Sequence, residues 1–111
     1  MKSPRISTIL VSHFHRSTIE RALRSLRLLG DDLVEVLVVD NGGDLGADLD
    51  QGIAGRPLRL LEPGENLGFA GGVNLAAQKT TGELLMLLIS MENNTFKTVQ
   101  LLEEVIKDDQ E

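Results

Sequence analysis

The chain has 111 residues, 41% hydrophobic and 25% charged, which suits one globular domain large enough to bury a core without staples. It has no cysteine, which excludes disulfides and any thiol-based metal site or nucleophile. The net charge of −6 argues against general nucleic-acid binding, and no segment approaches the ~20 apolar residues of a membrane span.

The charge is unevenly spread. Residues 1–30 hold six Lys/Arg against one Glu, and residues 31–111 hold five against sixteen Asp/Glu. The basic third could face an anionic ligand or membrane surface. The plainer reading makes Arg16, Arg21, Arg24 and Arg27 the solvated face of one helix. Lys2 and Arg5 precede only a short apolar run, Ile6–Val11, too short for a signal-peptide core. Location is therefore expected to be cytoplasmic, with peripheral membrane contact as the alternative for the basic face.

Four apolar runs, Ile6–Ser12, Val34–Asp40, Leu58–Leu61 and Leu84–Ile89, read as strands. The first two are nearly continuous and rich in branched residues, as in parallel strands covered on both faces. Between them Ile19, Leu23, Leu26 and Leu29 recur at helical spacing, with Ser17 or Thr18 as cap and Gly30 as stop. Asp40 to Gly55 reads as a loop with room for a short helix from Leu45 to Gln51. Glu62–Asn66 is a turn, and Gly68 to Thr80 a helix opened by glycines. Phe96, Val99, Leu102, Val105 and Ile106 recur at three and four, predicting a last amphipathic helix. Strands and helices thus alternate, which implies an α/β sandwich with right-handed crossovers.

In such sheets ligands bind beyond the carboxyl ends of the strands. That places Ser12–His15, Asp40–Asp44, Glu62–Gly72 and Ser90–Asn94 at the candidate site. Asp40 can accept a hydrogen bond from a base N–H, while Gly42 and Gly43 let a ligand lie close to the backbone. An Asx turn with no ligand fits Asp40 equally well. Asn66-Leu67-Gly68-Phe69-Ala70-Gly71-Gly72 opens a helix whose N-terminus would favour a phosphate. Its G-x-x-G-G spacing matches neither the dinucleotide fingerprint nor a Walker A loop, and close helix–sheet packing also selects small residues. His13 and His15 could share a face and bind metal, but no third ligand is nearby, so they read as polar lining. Asn93-Asn94-Thr95 matches a glycosylation acceptor without an export signal to support it.

Taken together, VVDNGG at the second strand, ENLGFAGGVNLA after the third and TTGELLMLLI into the fourth resemble the N-terminal half of family-2 glycosyltransferases. The resemblance covers about residues 5–92 and is most specific over Glu65–Ala76. Within the family it looks closest to the rhamnosyl- and galactofuranosyltransferase-like branch. The resemblance implies a three-layer, Rossmann-like GT-A half with a mainly parallel sheet of about four strands in the order 3-2-1-4. It implies a nucleoside-diphosphate sugar, UDP- or dTDP-linked, as donor and a carbohydrate or lipid-linked acceptor. By position, Ser12 and His13 would wrap the nucleoside and Asp40 would hold the base, with Gly42 beside it. Asn66, Gly68, Gly71 and Asn74 would run along the nucleotide and diphosphate. A divalent metal, Mg or Mn, would offset the charge of the leaving diphosphate.

Three features depart from the family. The D-x-D expected after the fourth strand is replaced by Ser90-Met91-Glu92-Asn93-Asn94, leaving Glu92 as the acidic candidate for the metal. The aromatic of the first loop is replaced by His13, with Phe14 next door. The acceptor half, with the catalytic base, has no counterpart, and Glu103 and Glu104 match no motif. The expectation is one truncated domain over residues 1–111, either a reduced glycosyltransferase or a non-catalytic, self-associating module that kept the fold. An unpaired edge on the fourth strand, or the last helix, would then support a homodimer. A receiver-type signalling domain fits poorly, because Ser12-His13 stands where an acidic pair is required.

Overall fold

The structure, a computed structural model, describes residues 5–14, 16–46, 49, 56–90 and 96–102, with residues 89–90 and 96–102 described through their backbone. Its elements are β1 (Ile6–Ser12), α1 (Arg16–Ser25), a 3-10 segment (Leu26–Asp32), β2 (Leu33–Asp40), β3 (Leu58–Leu61), α2 (Gly68–Ala77), β4 (Leu84–Ser90) and β5 (Phe96–Leu102). They build one sheet in the order β3-β2-β1-β4-β5. The first four strands are mutually parallel in the expected order, and β5 runs antiparallel to β4.

Successive side chains of a strand point to opposite faces, so β1 and β2 feed two cores. On one face Leu10, Val36 and Val38 pack with Ile19, Ala22, Leu23 and Leu26, the buried stripe of α1 and its extension. On the other, Ile9, Leu37, Val39, Leu85 and Leu87 pack with Ala76 and Ala77 of α2. This double cover explains the unbroken apolar runs in the sequence; each fully buried Leu or Val contributes roughly 1.5–3 kcal/mol. Small residues draw α2 tight to the sheet. A Cβ on Gly72 would lie 3.0 and 3.1 Å from the two Val11 methyls and 3.4 Å from Val39.

A second internal tie lies at the amino ends of the strands. Glu35, buried on β2, accepts hydrogen bonds at Oε2 from the Ser7 hydroxyl (2.7 Å), the Thr81 N–H (2.6 Å) and the Thr81 hydroxyl (3.0 Å). The Gly82 N–H donates to Ser7 Oγ at 2.9 Å. The entry to β4 is thereby pinned to β1 and β2. A cavity of about 260 Å³ between Arg5, Asp31, Leu33, Arg56 and Pro57 also lies near the strand starts.

Several expectations are corrected. The last amphipathic helix is β5, a strand over Phe96–Leu102. The three-residue spacing of Phe96, Val99 and Leu102 is that of a helix face and not the two-residue period of a strand, and pairing with the edge of β4 prevails over it. All seven residues of β4 pair with β5, from Leu84↔Leu102 to Ser90↔Phe96. Pairing satisfies that edge, which a helix could not do. The open β4 edge invoked for a homodimer is therefore occupied by the chain itself. Helix α1 already includes Ser17 and Thr18, so neither caps it; Gly30, with φ 55° and ψ −133°, does break the helical path, and a further short turn beyond that kink reaches Asp32. Helix α2 ends at Ala77, short of Thr80. The helix expected from Leu45 to Gln51 falls largely outside the described residues.

Candidate functional site

The parallel register makes Ser12 and Asp40 cross-strand partners, so β1 and β2 end side by side. The loops that follow them meet there with the start of α2. The main-chain N–H of Asn41 donates to the Ser12 carbonyl at 2.7 Å and extends the ladder one step beyond the strands.

Asp40 is buried, and its carboxylate is engaged by its own loop. Oδ1 accepts from the N–H groups of Gly43 (2.8 Å) and Asp44 (3.3 Å), and Oδ2 from that of Leu45 (3.0 Å). These charge-assisted bonds shape the loop as an Asx-type turn. Arg16, at the start of α1, reaches the Leu45 carbonyl and fastens the far end of the same loop. Gly42 sits where two loops touch: a Cβ there would lie 2.9 Å from Asp44 Oδ1 and 3.0 Å from the Phe14 nitrogen.

The loop after β1 carries His13 and Phe14, both exposed, with ring centroids 4.6 Å apart. Phe14 has φ 64°, a left-handed conformation that L side chains rarely adopt, and its ring is 63% exposed. Strain of this kind costs about 1–3 kcal/mol and clusters at ligand sites. Ser12 is buried, and its hydroxyl has no hydrogen-bond partner among the described residues. His15 lies outside the described residues.

The third part is the Asn66–Gly72 segment. Asn66 Oδ1 accepts from the Gly68 N–H at 2.9 Å, and Gly68 takes φ +75° as α2 begins. Leu67 provides no side-chain cap, so the first-turn N–H groups beyond Gly68 remain for solvent or a ligand. Phe69 is 47% exposed in that turn. Gly71 is half-buried, and a Cβ on it would meet Leu67 Cβ at 3.0 Å. Asn74 is exposed about 9 Å from Gly68 along the helix axis at 1.5 Å per residue.

One residue that the sequence did not single out joins these parts. Asn41 is 7% exposed; its Nδ2 donates to the Gly68 carbonyl at 3.1 Å, and its Oδ1 accepts from the Leu67 N–H at 3.2 Å. In sequence it is a turn residue of Asp40-Asn41-Gly42-Gly43, and nothing local signals a partner 26 positions away.

The structure thus gathers Ser12, His13, Asp40, Gly42, Asn66 and Gly68 at one edge of the sheet, with Gly71 and Asn74 further along α2. Glu92, Asn93 and Asn94 lie outside the described residues. No group of three His, Cys, Asp or Glu side chains that could hold a metal occurs among the described residues. With the Asp40 carboxylate committed to three amides, the described residues do not by themselves make a metal centre.

Residues 7–90 match the family model described as glycosyl transferase family 2. The fold is similar to a mannosyltransferase from Pyrobaculum calidifontis, solved with GDP-Man and Mn2+. That likeness has a TM-score of 0.65 and 26% identity over 80% of this chain and 28% of that one. Glucosyl-3-phosphoglycerate synthase from Mycobacterium tuberculosis, solved with Mn2+, UDP and glucosyl-3-phosphoglycerate, has the same fold, with TM-score 0.58, 21% identity and 78% and 33% coverage of this chain and that one. The chain spans about a third or less of the length of these structures. No curated protein sequence matches it.

Proposed function

Since this chain belongs to glycosyl transferase family 2, we propose that it binds a nucleoside-diphosphate sugar at the carboxyl edge of its sheet, as the donor half of a glycosyltransferase. The observation that carries the reading is the convergence of three loops on one edge: the Ser12–Asp40 register pair, the Asn41 bridge and the uncapped start of α2. Both similar structures were solved with Mn2+ and with a nucleotide or nucleotide sugar, GDP-Man in one and UDP in the other.

In this reading the rings of His13 and Phe14 form the platform for the base. Asp40 holds the loop against which the base rests, and the free N–H groups of α2 face the diphosphate. Gly68 and Gly71 keep that approach open, and Asn66 and Asn74 line it. Transfer would join the acceptor hydroxyl oxygen to the anomeric carbon while the bond to the diphosphate breaks and the diphosphate keeps the electron pair. The hydroxyl proton passes to a base that no described residue supplies. A divalent cation, Mg or Mn, is part of the proposal, with Glu92 as its acidic ligand, and no step is derived through it. UDP- or dTDP-rhamnose-like donors follow from the motif pattern, and a carbohydrate or lipid-linked acceptor from the family. The proposed location is cytoplasmic. No described helix is long and apolar enough to cross a membrane, and the exposed Arg21, Arg24 and Arg27 of the α1 region offer a face for peripheral contact.

Calorimetric titration of the chain with UDP, dTDP and GDP, with and without Mn2+, tests the reading. Binding strengthened by the metal is expected. A folded chain that binds none of the three overturns it and leaves the self-associating module as the better account. With β4 covered, that module would dimerise through β3, β5 or a helix face, and sedimentation would show it.

A further inference from the structure

We infer that Asn41 is the positioning residue of this site: its carboxamide sets the place of the first turn of α2 relative to the ends of β1 and β2. The inference rests on the nucleotide-binding reading. Its ground is a hydrogen-bond arrangement in which one buried side group holds both a donor and an acceptor of the same short segment. Oδ1 takes the N–H of Leu67, the residue just before α2, and Nδ2 gives to the carbonyl of Gly68, the first residue of the helix. The backbone of Asn41 is itself bonded to Ser12. Movement of the α2 start is therefore coupled through Asn41 to the loop that carries His13 and Phe14.

A carboxamide offers a donor and an acceptor side by side. An ionised carboxylate of the same shape offers two acceptors and would repel the Gly68 carbonyl. A protonated carboxyl restores the donor. Asn41→Asp is therefore a titratable copy of the native contact. Burial and the facing carbonyl raise its pKa above the ordinary ~3.9. His13, Asp40, Asp44 and Glu65 are common to both proteins, so the variant is compared with wild type at each pH.

The test is titration of wild type, Asn41→Asp and Asn41→Ala with UDP or dTDP and Mn2+ from about pH 5 to about pH 8. Hydrogen exchange of residues 66–72 is followed in the same proteins. Relative to wild type, Asn41→Asp should bind about tenfold more weakly at the alkaline end and recover towards the acid end. Asn41→Ala should be weak throughout. Exchange at Leu67 should speed up in Asn41→Ala while the β1 and β2 core stays protected. A constant deficit of Asn41→Asp at every pH would overturn the inference, leaving Asn41 a merely structural residue. So would wild-type affinity and wild-type exchange in both variants. If wild type binds no nucleotide, the functional reading fails, and the exchange data still decide whether Asn41 places the segment.

Discussion

Glu35 holds Thr81 twice, accepting both its N–H and its hydroxyl on a single carboxylate oxygen across 46 positions of sequence. This clamp sits at the amino edge of the sheet, away from the site. Removing the carboxylate strands the buried Ser7 hydroxyl, at about 1–3 kcal/mol, whereas Thr81 is exposed and can turn to water. Glu35→Ala should lower the urea midpoint accordingly while nucleotide affinity of the folded protein stays unchanged. An unaltered midpoint would show that water replaces the clamp without cost.

Phe14 separates strain from binding. Phe14→Gly removes the positive-φ penalty and should raise stability by about 1 kcal/mol. Phe14→Ala keeps the penalty. Both lose the ring, and if it stacks on the base, affinity should fall by about 1–3 kcal/mol in each, the range of aromatic–base stacking. Thermal melts together with titration of the two variants check both halves, and equal affinity across the series would remove Phe14 from the site.

Gly72 and Gly71 are neighbours with different duties. A methyl on Gly72 presses on Val11 and Val39, so Gly72→Ala should destabilise by about 1–3 kcal/mol less the roughly 1 kcal/mol of helix propensity gained. A methyl on Gly71 meets one Leu67 carbon, so Gly71→Ala should cost less in stability and act chiefly on nucleotide affinity. Denaturation and titration of the pair would show the contrast; equal losses in both would contradict it.

Glu92→Gln tests the metal. If Glu92 is a ligand, the variant should lose the gain that Mn2+ gives to UDP or dTDP binding and keep its metal-free affinity. A Mn2+ response equal to that of wild type would free Glu92 from this role.

The four parallel strands could be read from the residues because strands covered on both faces write long branched runs, as in Leu33–Asp40, while their order followed from the family resemblance. The placing of Gly, Asn and Asp at their carboxyl ends was visible for the same reason. β5 was not, since Phe96, Val99 and Leu102 carry a helical spacing and the deciding influence is the neighbouring edge of β4. Asn41 and Glu35 were hidden differently. Each acts through partners 26 to 46 residues away, and local pattern carries no trace of such pairings. For Asp40 the two sequence readings concern the same carboxylate, and it accepts from the N–H groups of Gly43, Asp44 and Leu45. Its carboxylate shapes the turn, and the same turn presents the surface on which the proposed base would rest.

The antiparallel course of β5 also decides which of its ends lies beside the site. Phe96 stands opposite Ser90, at the ligand edge, and Leu102 opposite Leu84, at the edge where the parallel strands begin. Seven residues of strand at about 3.3 Å each separate the two, roughly 23 Å. β5 therefore meets the ligand edge at its amino end, and its remaining length closes the flank of β4 down to the opposite rim.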